Sequence, residues 1–232
     1  MKHLPEGYRA LVLGASGTLG SALKAALEAD PRCATVTGLS RRGTPPLVLE
    51  DEATLRAAAE AMREAGPYAL ILDACGALRL DGRGPEKRLD DLDPRALARS
   101  FEVNAIGRAL VLKHFIPLLP RQGRCIFGVL SARVGSISDN RAGGWYGYRA
   151  AKAAGNMLLQ TAAIECTRSR PEAVFAALQP GTVPSPLSAP FLAGHPTVSA
   201  EEAAQGLLAA LDTLPAQRGA SFIDAKGQAI PW

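Results

Sequence analysis

Short apolar runs alternate along this chain with longer segments of helical period, and no other feature of the sequence limits the fold as much. Apolar runs separated by helices, rather than by tight turns, read as an α/β protein: a parallel sheet with helices on both faces. The first strand is expected over Tyr8 to Leu13, running through GASGTLG into a helix from about Thr18 to Glu28. A second strand, ATVTGLS, ends at Ser40 and is followed by Arg41 and Arg42. Only a few residues separate it from the apolar run Leu47 to Leu49, too few for an ordinary crossover helix, so this part of the fold is expected to be abbreviated. A helix from about Glu52 to Ala65 leads into the strand YALILDA and then a polar loop, DGRGPEKRLDDL, with no obvious chemistry. Asp93-Pro94 starts a helix that reaches about Phe115, with Asp as cap and Pro at the first helical position.

The strand RCIFGVLS delivers Ser131, and a Gly/Ser/Asn-rich loop leads to the longest apolar-periodic helix, about Trp145 to Arg168. The strand AVFAALQ ends at Pro180-Gly181, and the Pro- and Ser-rich segment 182–197 reads as a lid. Ser199 with Glu202 makes a capping box for the last helix, and SFID is the last strand. With 232 residues, no internal repeat and no linker, the whole of 1–232 is expected to be one domain. Hydrophobic residues at 47% and charged residues at 21% set disordered and fibrous classes aside.

A net charge of +4 with scattered arginines leaves no basic stripe, which argues against a nucleic-acid partner. The four cysteines lack CxxC or metal-ligand spacing and read as free buried thiols. The N-terminus has no apolar signal core, and no apolar run approaches the ~20 residues of a membrane span. A cytoplasmic protein with no metal site and no membrane partner is therefore expected.

Three stretches carry chemistry. GASGTLG lies between a strand and a helix, where glycines let the backbone turn tightly and approach a pyrophosphate held at the helix N-terminus; Gly14, Gly17 and Gly20 are the candidates. Its first two glycines stand three apart where the usual dinucleotide fingerprint has two. At the end of the second strand, Ser40, Arg41 and Arg42 stand where an acidic residue would read the ribose of NAD; a basic pair without any Asp or Glu favours NADP and leaves NAD possible. Tyr148 and Lys152 share one helix face a turn apart, and an ammonium beside a phenol makes it a better acid toward a developing alkoxide. Ser131 delivers a hydroxyl toward the same pocket, with Ser136 and Ser138 as competing hydroxyls in the following loop. Asn104, within FEVNAIG, is a polar residue in an apolar helix and is either structural or catalytic.

GASGTLG, the Gly after the YALILDA strand, FEVNAIG, YxxxK and the Pro-Gly after AVFAALQ occur together in one order. In this the chain resembles the short-chain dehydrogenase/reductase superfamily over essentially its whole length. The run LSARVGSISDNRAGGWYGYRAAKAAGN and the ending GQAIPW resemble more narrowly the branch with the C-factor signalling protein and sniffer-type carbonyl reductases. The resemblance implies a Rossmann-like, doubly wound sheet of about seven strands, hydride transfer between a nicotinamide and a carbonyl carbon, and assembly as a homodimer or homotetramer.

Carried over by motif, Tyr148 is the general acid/base, Lys152 holds the nicotinamide ribose and lowers the Tyr pKa, Ser131 positions the carbonyl, and Asn104 supports a proton relay through water to Lys152. Gly14, Ser16, Gly17, Thr18, Leu19 and Gly20 would line the phosphate loop. Ala74, Cys75 and Gly76 follow the YALILDA strand on the cofactor side, and Pro180, Gly181, Thr182 and Val183 would meet the nicotinamide, with Ser185 beside them. The chain departs from the pattern in having Asp73-Ala74-Cys75-Gly76 for Asn-Asn-Ala-Gly, Val48 for an Asp near the adenine, Ser131-Ala132 for paired serines, and Gln179 for a His. The reading is an NADPH-linked reductase of a small carbonyl compound, an oxidoreductase acting on CH-OH and C=O groups. The alternative is a cofactor-binding signalling or redox-sensing protein with little turnover.

Overall fold

The computed structural model describes residues 1–192, 194 and 196–232; Ala193 and His195, both within the expected lid, lie outside the described residues. Its central strands explain why the chain closes as it does. β3 (Leu70–Asp73) and β4 (Cys125–Leu130) are buried along their whole lengths, so neither has a face to offer to water, and helices must cover both sides. Six strands pair in the order β2-β1-β3-β4-β5-β6, all parallel, with β1 Tyr8–Leu13, β2 Cys33–Leu39, β5 Ala173–Gln179 and β6 Ala220–Asp224.

The period-2 pleat divides the apolar residues into two cores. Leu11 and Leu13 face one layer with Leu55, Phe115, Phe127, Leu159 and Phe175; this is the side of α2 (Glu52–Met62), α4 (Gly107–Phe115) and α5 (Tyr146–Cys166). Val12 and Leu72 face the other with Leu23, Leu27, Leu207 and Leu211, the side of α1 (Thr18–Glu28) and α6 (Ala200–Thr213). The expected helix ends are present where their chemistry is local. Asp93 accepts from the Arg95 and Ala96 amides at the start of α3 (Pro94–Phe101), and Ser199 and Glu202 form the reciprocal cap of α6.

Two features depart from expectation. The expected seven strands are six: Leu47 to Leu49 forms no strand, and only an isolated bridge joins Ser40 to Pro46. With no residues for a crossover helix, the segment folds under the sheet edge, burying Leu47 and Leu49 in the α2/α4 core. Gly107 receives it, since a Cβ there would lie 2.8 Å from the Leu49 Cβ and 3.0 Å from its carbonyl oxygen. The helix expected from Pro94 to Phe115 is divided by a π turn over Glu102–Ile106, so that α3 and α4 are joined by a wider ring that contains Asn104.

Gly107→Ala is expected to lower stability by about 1–2 kcal/mol, because the seated 47–49 segment must move by more than helix propensity returns. Urea unfolding with an unchanged slope would measure it; the gain typical of an unobstructed helix position would show that nothing presses on Gly107.

Candidate active site

The chain runs β1, α1, β2 on one side of β1 and then crosses to place β3 on the other, so the connections leaving β1 and β3 diverge and a crevice opens at their C-terminal ends. Hydrogen bonds that continue the strand ladders hold its floor. The Gly14 and Ala15 amides both donate to the Leu39 carbonyl (2.8 and 3.0 Å), and the Ala74 amide donates to the Leu13 carbonyl (2.9 Å). Gly14 takes a φ of +78°, and a Cβ at Gly20 would lie 2.1 Å from the Gly14 carbonyl oxygen, so α1 sits directly against the turn. Gly17 caps α1 without a side-chain hydrogen bond, which leaves the first amides of the helix to other partners. Ser16 and Gly17 are exposed, and Thr18 and Leu19 half-buried, around this turn. Arg41 and Arg42 are exposed past the end of β2; Arg41 reaches Glu50 at 3.7 Å, and Glu50 is held more closely by Arg99 at 2.8 Å.

The opposite wall comes from the helices. Asn104 sits in the π turn, 1% exposed, and every polar atom of its amide is engaged: Oδ1 accepts from the Ala77 amide (3.1 Å), and Nδ2 donates to the Ala77 and Ser100 carbonyls (2.9 and 3.2 Å). It thus ties the loop after β3 to the helix. Gly76 lies between Asn104 and Lys152, so that a Cβ there would meet Oδ1 at 3.2 Å and Nζ at 3.3 Å. Cys75 is half-buried beside Gly14, and burial together with the Asp73 carboxylate pushes its thiol pKa well up. With its thiol held neutral, Cys75 forms part of the wall and carries no reactive thiolate.

α5 presents Tyr148, Lys152 and Asn156 at successive turns of one face. The Lys152 ammonium stands 5.6 Å from the Tyr148 ring centroid and donates to the Leu130 carbonyl at 3.3 Å. Burial lowers the Lys152 pKa to about 7, with the Arg108 charge acting in the same direction and Asp73 and Cys75 opposing it. Burial raises Tyr148 to about 12, and the Arg108 charge pulls it back. Ser131, at the end of β4, donates its hydroxyl to Asn156 Oδ1 at 2.7 Å. Ser136 is buried with its hydroxyl donating to the Pro231 carbonyl and accepting from the Asp139 amide. Of the two serines, only Ser131 ends a strand that opens on the crevice.

Tyr148 lines a cleft of about 540 Å³ between α3 and the loop after β3, with Leu80, Arg83, Glu86, Arg99 and Ser100 among its walls. The polar stretch DGRGPEKRLDDL, to which the sequence assigned no chemistry, therefore forms part of the site. Glu86 joins it to α5, its carbonyl accepting from the Trp145 amide (2.5 Å) and its carboxylate from the Gly147 amide (3.0 Å). Trp145, in the left-handed region at φ +55°, packs its ring on Phe191 (centroids 4.9 Å apart) and on the Tyr148 edge (6.2 Å). Phe191 belongs to the segment after β5, so that segment reaches the Trp145 ring beside Tyr148. Pro180, Gly181 and Thr182 leave β5 at the crevice, Val183 is buried behind them, and the Thr182 carbonyl accepts from the Val198 amide at 3.0 Å.

Asn156, Arg108 and Glu86 were not singled out from the sequence. Asn156 alone had a local signal, standing one turn beyond Lys152 as Lys152 stands one turn beyond Tyr148. Among the described residues no group of three or more His, Cys, Asp or Glu side chains is arranged to hold a metal ion, and no helix is long and apolar enough to cross a membrane.

No family model matches the chain. It is 32% identical over 145 residues to the C-signal protein of Myxococcus xanthus, covering 62% of this chain and 83% of that one. It is 29% identical over 162 residues to 1-hydroxy-2-glutathionyl-2-methyl-3-butene dehydrogenase of Rhodococcus sp. strain AD45, covering 70% of this chain and 67% of the enzyme. Among solved structures, the NADPH-bound carbonyl reductase from chicken fatty liver superposes with a TM-score of 0.85 at 21% identity, over 99% of this chain and 100% of the other.

The lowered Lys152 pKa makes a sign-definite prediction about stability. Between about 7 and the ordinary 10.5 the unfolded chain binds one proton more than the folded one, so this group's contribution rises with pH through that window, and its full penalty stays below about 7. Relative to Lys152→Met, the wild type should gain on the order of a few kcal/mol between pH 7 and 10, read by urea unfolding at a series of pH values. Parallel curves for the two proteins would mean that Lys152 titrates normally.

Proposed function

The chain belongs to the short-chain dehydrogenase/reductase family, and from that premise we propose that it is an NADP-preferring oxidoreductase that reduces a small carbonyl compound to an alcohol. The observation that carries the reading is the Tyr148 phenol lining an open cleft with the Lys152 ammonium 5.6 Å from its ring. The residues present fit a dinucleotide. Gly14 and Gly20 let α1 start directly against the turn after β1, as a phosphate-binding turn needs, α1 offers amides without a side-chain cap, and Arg41 and Arg42 are exposed past the end of β2, where a 2′-phosphate would be read. We take Ser16, Thr18 and Leu19 as the rest of that turn, Ser40, Ala74, Cys75 and Gly76 as the cofactor-side wall, and Pro180, Gly181, Thr182 and Val183 as the segment beside the nicotinamide. The nicotinamide, when bound, supplies the hydride; NAD in place of NADP is the looser fit.

In this reading the chain's own residues handle the proton and the orientation. Tyr148 gives its phenolic proton to the carbonyl oxygen as negative charge develops there, and the adjacent cation steadies the phenolate left behind. Lys152, able to lose and regain a proton near neutral pH, returns one to Tyr148. Asn104 keeps the loop at Gly76 fixed beside Lys152, at one end of a water-borne proton path. Ser131 orients the carbonyl once its hydroxyl turns from Asn156. The Trp145–Phe191 contact and the loop at Glu86 exclude water from the reacting face. Residues 1–232 act as one cofactor-binding domain in a cytoplasmic homodimer or homotetramer.

One observation favours a second reading, that of a cofactor-binding signalling protein with little turnover: the Ser131 hydroxyl is committed to Asn156. A panel of carbonyl compounds assayed with both cofactors separates the two. Tyr148→Phe is expected to lower NADPH-linked reduction by about 10²–10⁴-fold while NADPH binding, followed by its fluorescence, persists. Tight NADPH binding without reduction of any panel member would favour the signalling reading. Arg41→Asp should weaken NADPH far more than NADH in the same titration, and equal weakening of both would remove Arg41 from phosphate recognition.

A further inference from the structure

Beneath Tyr148 and Lys152 lies an ion pair that the proton transfer at Tyr148 does not itself use. Arg108 on α4 is 4% exposed and Asp73 at the end of β3 is 1% exposed, with Nη1 of one 3.1 Å from Oδ2 of the other. Among the described residues Nη1 makes no hydrogen bond of its own, so its tie to the carboxylate is the charge contact, while hydrogen bonds hold Nη2 and Oδ1. Arg108 Nη2 donates to the Cys75 carbonyl (3.3 Å) and to the Leu130 carbonyl (3.2 Å), while Asp73 Oδ1 accepts from the Cys75 amide (2.9 Å). Gly155 on α5 makes room for the guanidinium, since a Cβ there would lie 3.1 Å from the Arg108 Cδ and 3.3 Å from Nε.

The Leu130 carbonyl is the decisive atom. It accepts from Arg108 and also, at 3.3 Å, from Lys152 Nζ, and it is the one hydrogen-bond acceptor of that ammonium among the described residues. We propose that Arg108, clamped by Asp73, is a positioning residue for the Tyr148–Lys152 pair: it stands behind Lys152 as a permanent cation and shares the single carbonyl that holds the ammonium. The inference rests on reading Tyr148 as the proton donor.

Two consequences follow from the chemistry of the two cations. A guanidinium keeps its charge at every pH the fold tolerates, whereas a buried ammonium crowded by a second cation and short of acceptors gives up its proton readily. The charged and titratable groups facing Lys152 are Arg108 from α4, Asp73 and Cys75 from the end of β3, and Tyr148 from its own helix. Arg108 therefore supplies standing positive charge to Tyr148, and Lys152 is left free to carry a proton. The directions in which Arg108 acts on both Tyr148 and Lys152 agree with this division.

The test separates charge from packing. In protein made with ¹³C-labelled lysine, the Cε resonance of Lys152, identified by its loss in Lys152→Met, reports its titration whether or not the protein turns over. Asp73→Asn/Arg108→Gln removes both charges and keeps hydrogen-bonding side chains in place; the Lys152 midpoint should rise by about one pH unit. Asp73→Asn alone leaves Arg108 uncompensated and should move the midpoint the other way, so either variant decides the question provided it folds. Arg108→Lys, which keeps the charge, should stay near the wild type. The pH profile of kcat for NADPH-linked reduction should follow the midpoints while KM changes little. Midpoints that stay put in the folded variants overturn the proposal. Resonance shifts without reductase activity in any form would instead sink the oxidoreductase reading alone.

Discussion

Parallel pairing on both sides of β1 is the constraint from which the site follows. β2 and β3 flank the same strand, yet the chain reaches them in opposite directions, and no helix can cover the gap where those directions diverge. The open end would be a weak point if its loops were loose. They are not, because the hydrogen bonds of the sheet run on past the strands: Gly14 and Ala15 bond to Leu39, Ala74 to Leu13 and Ser131 to Leu178. Each functional loop thus begins as a continuation of the most deeply buried part of the molecule, which gives side chains such as Ser131 a position without dedicated supports.

The same architecture explains where polar groups are buried. Six of the buried polar or charged residues, Asp73, Asn104, Arg108, Ser131, Lys152 and Asn156, gather about the ends of β3 and β4. Among the described residues the other buried polar or charged side chains are Ser100, Ser136 and Asp212, the last accepting the amides of Lys2 and His3. Removing a charge from water is expensive even when it is paired, and replacing a buried pair by apolar residues is often neutral or stabilising. A concentration of such groups at one edge is therefore poorly explained by stability alone, and it coincides with the proposed active site. α5 is the element that permits it, since Gly147, Ala151 and Gly155 on its buried side let neighbouring groups come close.

What the sequence disclosed of this arrangement was its periodic and local part. The period of apolar residues, the glycines of GASGTLG, the caps at Asp93 and Ser199, and the one-turn spacing of Tyr148 and Lys152 are each written within a few consecutive residues. The seventh strand is absent because Leu47 to Leu49, apolar like a strand, fills the core instead, and only the three-dimensional seat at Gly107 shows this. The partners Asp73 and Arg108 lie 35 positions apart, Gly76 and Asn156 are likewise remote in sequence from Asn104 and Ser131, and no local pattern joins such pairs. The loop at Glu86 is illegible for a different reason: its charges have the pattern of solvated surface, and only the fold shows its carboxylate accepting from an α5 amide.

The π turn ties these observations together. Each residue of an α-helix advances the facing direction by roughly 100°, so a single wide turn rotates everything after it relative to everything before it. α3 shows the cleft its Ser100 and Arg99, whereas α4, beyond the turn, directs Val111, Leu112 and Phe115 into the core and Arg108 beneath Lys152. In an uninterrupted helix one of these two sets would be misdirected: either the cleft would lose its wall or the guanidinium would leave the carboxylate of Asp73 buried and unpaired. The turn holds Asn104 at the junction, its amide spanning Ala77 and Ser100, so the residue whose role the sequence left open also fixes the change of phase. Asn104 thus fixes which side chains α3 turns to the cleft and which α4 turns toward Lys152, and the proton transfer proposed at Tyr148 would depend on that phase being kept.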